Sequence, residues 1–335
     1  MDLVITDAEW NDLGTISPSN GDFAYGSEEN DFSLDLDYGV VPEVGALLYA
    51  EGTDLGGEVT GYESDVGNGY FSVTGQTWTG ILNRRILCPP SGSDYFSVSG
   101  DCRDCVASIV SASGADYLFE VAGGKTGVTT SRTFKTFQVH RTPNDADRYM
   151  PAWNAVWMTV SRCGCSARLA YDPTRRKVVM TVRRRAEYTD EEAASAGVAL
   201  LGVTRSTPAN HLVCLGAGDL RARTVAHVYA DATGAVSTSR SLTGRREVME
   251  VYDDAQAEDL ASLVADGESR LRDLWGSSQS VSVATGNPSV AFDLGDLVGG
   301  TDVRTGIKAS AVISKKVARF DRGNVTWTYS STVRG

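Results

Sequence analysis

Along most of the chain, apolar and polar residues alternate over short stretches that end in glycine-containing turns. Residues 32–38 show this alternation and predict a strand with one buried face. Residues 167–171 and 177–182 flank the turn sequence Asp172-Pro173-Thr174 and predict a hairpin. Further predicted strands lie at residues 46–49, 70–73, 117–121, 134–140, 212–215, 225–229, 236–242, 281–283, 290–292, 307–317 and 325–329.

Three segments have the spacing of amphipathic helices. The first spans residues 77–86 and ends at a Cys-Pro-Pro sequence. In the second, Asp101 is expected to cap a helix that reaches Val110. The third and longest is predicted to open at Asp253 or Asp254 and to run to about Trp275. Its apolar stripe consists of Leu260, Leu263, Val264, Leu271 and Leu274.

These elements predict a mainly β fold with α+β insertions. A chain of 335 residues is longer than one hydrophobic core usually supports, so several domains are expected. The predicted division is a β domain at 1–97, an α+β domain at 98–190, a β-rich domain at 191–245, and a helix followed by strands at 246–335. No apolar run reaches the roughly 20 residues of a membrane span. Six cysteines are too few for a disulfide framework, which fits a reducing cytosol.

Charge is distributed very unevenly along the sequence. The first basic residue is Arg84, whereas the stretch before it contains sixteen acids. A folded segment with a single sign of charge gains nothing from internal ion pairs and repels itself, so its surface suits the exclusion of a polyanion. Strand alternation places Asp35 and Asp37 on the exposed face of the strand at 32–38.

Two basic groups bracket one strand of the predicted hairpin. Arg175 and Arg176 precede this strand, and Arg183, Arg184 and Arg185 follow it. The groups are compatible with an anion-binding patch, with a solvated sheet edge, and with a docking face for the acidic segment of a neighbouring subunit. The solvated edge is the interpretation we favour.

Four cysteines are the only candidates for a metal site. Cys102 and Cys105, together with Cys163 and Cys165, supply the ligand number of a tetrahedral zinc site. Only one residue separates the second pair, and small buried cysteines are common in cores, so buried free thiols are favoured. No metal or cofactor is predicted.

No motif supports catalysis. Gly123-Gly124-Lys125-Thr126 lacks the earlier glycine of a phosphate-binding loop, because position 119 is phenylalanine. The three histidines form no catalytic signature, and His227 is interpreted as a partly buried core residue of a strand.

Several segments together resemble the tail-tip, or baseplate hub, proteins of long-tailed phages, in the branch common among phages of actinobacteria. The resemblance rests on their order along the chain. The segments are 73–82 with Arg85 and Pro89-Pro90, then 94–95, 98–101, 210–220, 223–224, 227–231, 293–300, and finally Val303, Gly306 and Ile307.

The resemblance implies a structural virion protein. Such hubs form a trimeric ring below the tail tube, in which two tube-like β-barrel or sandwich domains per subunit mimic the sixfold tube. Residues 1–97 and 246–335 would supply these two domains, with peripheral domains between them, and Asp35 and Asp37 would face the DNA channel. The implied partners are two further copies, the distal tail or tube protein, other tail-tip or receptor-binding proteins, and the C-terminus of the tape-measure protein. DNA would be met only in passage, without sequence-specific binding, and no membrane insertion is expected.

The implied location is the virion tail tip, after assembly in the cytoplasm of the host bacterium. Because the chain ends at Gly335, no appended enzyme is expected. Two alternatives remain open. One is a hub-associated cell-wall hydrolase, and the other is a carbohydrate-binding adsorption protein in which Tyr149, Trp153 and Trp157 stack on sugars.

Overall fold

The structure of the protein is a computed structural model. It describes residues 1–26, 29–36, 41–65, 67, 70–134, 148–188, 198–255, 257, 259–276, 278–285, 292–301, 304, 306 and 308–332. The chain divides into two compact units. The first unit combines Met1–Lys135, Arg148–Gly202 and Ser282–Ser331, and the second combines Thr136–Asp147, Val203–Val281 and Thr332–Gly335. The division into four domains stays a prediction.

Strands dominate the described chain. In chain order they are β1 (Leu3–Thr6), β2 (Asp12–Ile16), β3 (Pro18–Gly26), β4 (Asp31–Leu36), β5 (Leu47–Tyr49), β6 (Gly56–Asp65), β7 (Tyr70–Thr77), β8 (Ile86–Leu87), β9 (Phe96–Asp101), β10 (Phe119–Ala122), β11 (Thr129–Phe134), β12 (Met150–Pro151), β13 (Cys165–Asp172), β14 (Lys177–Arg184), β15 (Glu187–Tyr188), β16 (Val198–Arg205), β17 (His211–Leu215), β18 (Val225–Ala230), β19 (Val236–Ser237), β20 (Met249–Asp253), β21 (Gln279–Thr285), β22 (Leu297–Thr301), β23 (Lys308–Val312), β24 (Lys315–Asp321) and β25 (Asn324–Thr332).

The helices include α1 (Trp78–Asn83), α2 (Cys102–Ala112), α3 (Ala152–Arg162) and α4 (Leu260–Gly276). The Asp101 cap of α2 is confirmed, because its carboxylate accepts a hydrogen bond from the Arg103 amide. The last helix begins later than predicted. The Asp259 carboxylate accepts a hydrogen bond of 2.8 Å from the Ser262 amide, so this residue, rather than Asp253 or Asp254, starts the helix.

A curled half-barrel sheet forms the centre of the first unit. Nine neighbouring strands of this sheet follow the order β25-β24-β3-β4-β7-β6-β5-β1-β2, and each adjacent pair among them is antiparallel. The pairing of β24 with β3 joins the two ends of the sequence in one sheet. The fold class, mainly β with α+β insertions, is confirmed.

Close packing inside the curled sheet depends on glycine. On neighbouring strands, Gly57 and Gly75 lie against the ring of Phe32. A β-carbon at Gly75 would overlap both this ring and the carbonyl oxygen of Glu58. The absence of side chains at these two positions therefore lets the aromatic ring lie flat across the sheet.

The predicted hairpin is confirmed and anchors a helical layer. β13 and β14 pair in continuous antiparallel register from Cys165–Arg184 to Asp172–Lys177, and β10 adds to β14 in parallel. In the first unit, α2 contacts both α3 and β10. The buried face of α3 includes Trp153, Val156 and Val160.

The second unit contains a smaller sheet with one helix against it. The strand order is β19-β18-β17-β20, with β20 parallel to β17 and the other pairs antiparallel. On the inner face, Leu212, Val228, Leu263 and Leu271 are fully buried between the sheet and α4. Gly267 is the point of closest approach, since a β-carbon there would overlap the Cys214 sulfur.

Candidate functional site

The acidic N-terminal segment forms most of the curled sheet. In β4 the apolar side chains are buried as predicted, and Asp35 lies among the residues on the other face. Its carboxylate is half-buried and accepts a hydrogen bond of 3.3 Å from the Asn20 amide group on β3. The channel-facing role of Asp35 stays a prediction, and Asp37 lies outside the described residues.

Basic residues from later segments pair with acids of this N-terminal segment inside the first unit. Asp54 is buried, and its carboxylate accepts hydrogen bonds from Lys316 and, at 2.7 Å, from Arg168. At the surface, Lys315 pairs with Glu29. The single sign of charge in the first 83 residues is therefore partly balanced by bases from the same chain.

The Asp54–Lys316 pair lies in the core of the curled sheet. Lys316 is only 3% exposed, and its ammonium lies 5.7 Å from the ring centroid of Tyr25 and 5.5 Å from that of Trp327. Burial raises the pKa of the Asp54 carboxyl, but the charges and hydrogen bonds of Lys316 and Arg168 outweigh it. The pKa therefore lies below its ordinary value, and Asp54 is held as a carboxylate.

A second buried carboxylate pair binds one of the predicted interface arginines. The Arg183 guanidinium donates to Asp293 at 2.7 Å and to Asp296 at 3.1 Å. Asp296 is fully buried and also accepts a hydrogen bond of 2.8 Å from the Ala186 amide. Burial raises the pKa of Asp293, against the lowering effects of Lys316 and Arg183. Arg183 thus fastens β14 to the segment around residues 293–296.

The other four arginines of the hairpin also contact their own chain. Arg175 pairs with Glu120 on β10 and with Asp172, Arg176 donates to the Glu9 carbonyl, Arg184 donates to the Thr126 and Gly127 carbonyls, and Arg185 pairs with Glu187. These contacts hold the hairpin to its neighbours within the first unit. Their proposed part in subunit contacts stays a prediction.

The four cysteines considered for zinc lie near one another in the first unit. Two are on α2, and two follow α3 at the start of β13. A hydrogen bond with Cys165, together with burial, raises the pKa of the Cys102 thiol, whereas the same bond lowers the pKa of Cys165. In the part of the chain that the structure describes, no group of three His, Cys, Asp or Glu side chains is arranged to hold a metal ion.

The Gly-Gly-Lys-Thr segment is occupied by a carboxylate of the same chain. The amides of Thr126 and Gly127 donate hydrogen bonds of 3.1 and 2.7 Å to Asp101, which also caps α2. Backbone amides that a phosphate group would need are therefore already used. The segment is a turn that fixes the start of α2.

A carboxylate–imidazole–imidazole chain lies on the sheet of the second unit, where sequence reasoning assigned no site. His211 Nδ1 is 2.8 Å from the Glu247 carboxylate, and His211 Nε2 is 2.8 Å from His227 Nδ1. Arg240 also donates to Glu247, and this bond lowers the pKa of the Glu247 carboxyl. His227 is exposed, so its interpretation as a core residue was wrong, and His211 is the buried partner. Strand alternation places both rings on one face, but only the β17–β18 register brings them together.

The aromatic residues considered for sugar stacking are not a continuous platform. Trp153 is fully buried, and its indole N–H donates a hydrogen bond of 2.6 Å to the Gly26 carbonyl. Trp157 is half-buried, and Tyr149 is 42% exposed. The central residue of the predicted stack is therefore part of the core.

The fold is similar to solved structures of tail proteins. The 43 kDa tail protein of prophage MuSo2 from Shewanella oneidensis has 14% identity, with a TM-score of 0.55 over 98% of both chains. A tail protein from Neisseria meningitidis MC58 has 13% identity, with a TM-score of 0.52 over 98% of this chain and 95% of that one. This protein has a phage tail-protein fold.

Comparisons by sequence give no further relative. No protein-family profile matches the chain, and no curated protein matches it in sequence. The likeness to tail proteins therefore concerns the fold over nearly the whole length of the chain. The actinobacteriophage branch expected from the sequence segments stays a prediction.

No helix among the described residues is both long and apolar enough to cross a membrane. The ionisable clusters of the two units differ in kind. In the first unit, buried ion pairs connect distant parts of the sequence. In the second unit, the histidine chain lies on one open face of a sheet.

Proposed function

We propose that this chain is a non-enzymatic structural protein of a phage or prophage tail, and that three copies form a hub at the tail tip. The observation that carries the proposal is the match in fold to the Shewanella tail protein over 98% of both chains. A mainly β fold with a curled sheet suits a ring that continues a tube, because its strands form the wall.

Within such a ring the acidic N-terminal segment would line the passage for DNA. Sixteen acids precede the first basic residue, and three copies would multiply the exposed part of this charge. DNA carries a dense negative charge, so a wall of like charge shortens its contacts with the protein. Asp35, on the face of β4 opposite the apolar side chains, is the channel-facing candidate. Asp54 is excluded from this role because it is buried.

The partners proposed for the hub are the distal tail or tube protein above it, receptor-binding proteins around it, and the C-terminus of the tape-measure protein. Assembly would take place in the cytoplasm of the host bacterium before the tail joins a virion. The proposed hub does not bind specific DNA sequences and does not insert into a membrane.

Two measurements test the proposal: the mass of the purified protein in solution and its position in assembled tails. Mass photometry of the purified chain is expected to give a species of three times 35.7 kDa. Electron microscopy of tails carrying a labelled copy is expected to place the label at the tip. A stable monomer that never enters tails would overturn the proposal.

The same purified protein can be used to test the hydrolase alternative. Purified trimer is expected to release no fragments from peptidoglycan. The group to test for hydrolysis is the chain of Glu247, His211 and His227 on the sheet of the second unit. Fragment release that disappears in a His227→Gln variant would establish an enzymatic role instead.

A further inference from the structure

The sheet of the second unit has one covered face and one open face. α4 covers the inner face. On the outer face, Val213 of β17 lies between His227 of β18 and Val251 of β20. Val225, Met249 and Val251 on this face are 45, 56 and 60% exposed. Large apolar side chains concentrated on one sheet face mark a surface that another protein covers.

A projecting loop adds a further apolar side chain at the end of this sheet. Leu220, in the connection between β17 and β18, is 94% exposed. Its backbone has a φ of +47°, a left-handed conformation that is unfavourable for leucine. At this exposure the leucine side chain buries almost no apolar area within its own chain, so it is available for insertion into a partner.

Basic residues occur in two connections next to this sheet, with Arg221 between β17 and β18 and Arg245 and Arg246 just before β20. Residues 205–253, which include the whole of β20, contain six arginines and five acids. Of these acids, Asp231 accepts hydrogen bonds within its own turn, and the Glu247 side chain is only 8% exposed. Glu250 and Asp253 pair with Arg270 and Arg223, and Asp219 is exposed next to Leu220. Arg221, Arg245 and Arg246 are exposed, and among the described residues no acid is paired with them. We call Leu220, Val225, Met249 and Val251 with these three arginines the docking face.

The matching surface is present on the same chain. A closed ring of identical subunits uses two different patches, each of which meets the other on the next copy. Residues 1–65 carry acids without any base, and three of their exposed apolar residues are next to an acid in the sequence. The adjacent pairs are Asp12 with Leu13, Glu43 with Val44, and Glu63 with Tyr62, whose apolar members are 58, 59 and 59% exposed.

We propose that the docking face binds the acidic surface of residues 1–65 on a second copy of this chain. Opposite charge selects the partner and its orientation, and burial of Leu220 and the exposed strand residues supplies most of the affinity. The inference rests on the proposed function, because it gives the ring its heterologous contact.

The first test removes the projecting side chain without harming the fold. Leu220→Asn and Leu220→Gly suit the left-handed backbone better than leucine, so both variants are expected to remain folded. Sedimentation equilibrium of the full chain is expected to show association weakened by about tenfold or more. Arg322→Asn is the matched control, because Arg322 is also exposed and has the same φ of +47° at the turn between β24 and β25. Equal association of the wild type and both Leu220 variants would overturn the inference.

The second test exchanges the charges. Arg245→Glu with Arg246→Glu, and separately Glu43→Arg with Glu63→Arg, are each expected to weaken association. A chain carrying all four substitutions is expected to recover at least half of the loss on a logarithmic scale, because opposite charges again face each other. Losses that simply add up would exclude contact between these two surfaces.

The outcomes separate this inference from the proposed function. If the chain forms trimers that enter tails, and neither set of substitutions changes its association, the proposed function stands and the docking face is overturned. If association is lost and then recovered as the charge exchange predicts, but the protein is absent from tails, the docking face stands and the proposed function is overturned. A wild-type chain that remains monomeric at high concentration overturns both.

Discussion

Replacing Lys316 with methionine tests whether a buried ion pair joins the two ends of the chain. Lys316 and Asp54 are 3 and 5% exposed, so removal of the ammonium leaves a buried carboxylate with Arg168 as its remaining partner. Breaking a buried pair on one side costs about 3–5 kcal/mol. Because Arg168 stays at 2.7 Å from Asp54, we expect the lower end, about 3 kcal/mol of unfolding free energy.

The assay is urea unfolding followed by tryptophan fluorescence, since Trp327 lies over the Lys316 ammonium. Lys315→Met is the matched control. Lys315 is the preceding residue on β24 and pairs with Glu29, but both side chains are partly exposed, so its loss is expected to cost less than about 1 kcal/mol.

A double substitution separates the ion pair from the packing. Replacing Asp54 with leucine and Lys316 with methionine removes both charges, and we expect the double variant to be more stable than Lys316→Met alone. The reasoning would be refuted if Lys316→Met lowered the unfolding free energy by no more than Lys315→Met does.

Three further predictions follow from the first unit. Gly75→Ala forces a methyl group into the ring of Phe32, so we expect a loss of more than about 2 kcal/mol in urea unfolding, and a near-neutral result would contradict the packing described. Because the pKa of Asp54 is depressed by folding, its stabilising effect is present above the unfolded-state pKa and is lost as pH falls through the folded-state pKa. The stability difference between the wild type and Asp54→Asn is therefore expected to shrink from pH 7 to pH 3, and an unchanged difference would contradict this. Trp153→Phe leaves the buried Gly26 carbonyl without its donor, so thermal unfolding should show a loss of about 1–3 kcal/mol, whereas glycan binding is expected to be the same before and after the substitution.

Local sequence patterns anticipated several of the strands and turns of this protein. The alternation in β4 and the turn chemistry between β13 and β14 depend on neighbours in sequence, so they are visible without a structure. The cap at Asp101 is predictable for the same reason. The start of α4 was missed because Asp253, Asp254 and Asp259 offer competing caps, and only the bond from Ser262 selects Asp259.

Such local patterns could not predict which distant segments of the chain are in contact. Lys316 shares a face of β24 with Ala318 and Phe320, which marks it as an inward-facing lysine, but its partner Asp54 is 262 residues away. Likewise, the partners of Arg183 come from a segment more than 100 residues later. The strength of a charge interaction depends on the distance between the groups, which the sequence does not give. A run of charged residues therefore reads the same whether it forms a solvated face or a set of ion pairs.

The sequence by itself determined a mainly β protein with an acidic N-terminal segment that lacks bases. Tertiary structure alone decided which of those acids are neutralised in the core and which remain on the surface. It also decided that strands from both ends of the chain share one sheet and that two histidines meet on the sheet of the second unit. The physical reason is that strand alternation is fixed by backbone geometry within a segment, whereas partner choice depends on the closure of long loops and on burial that only the folded chain creates.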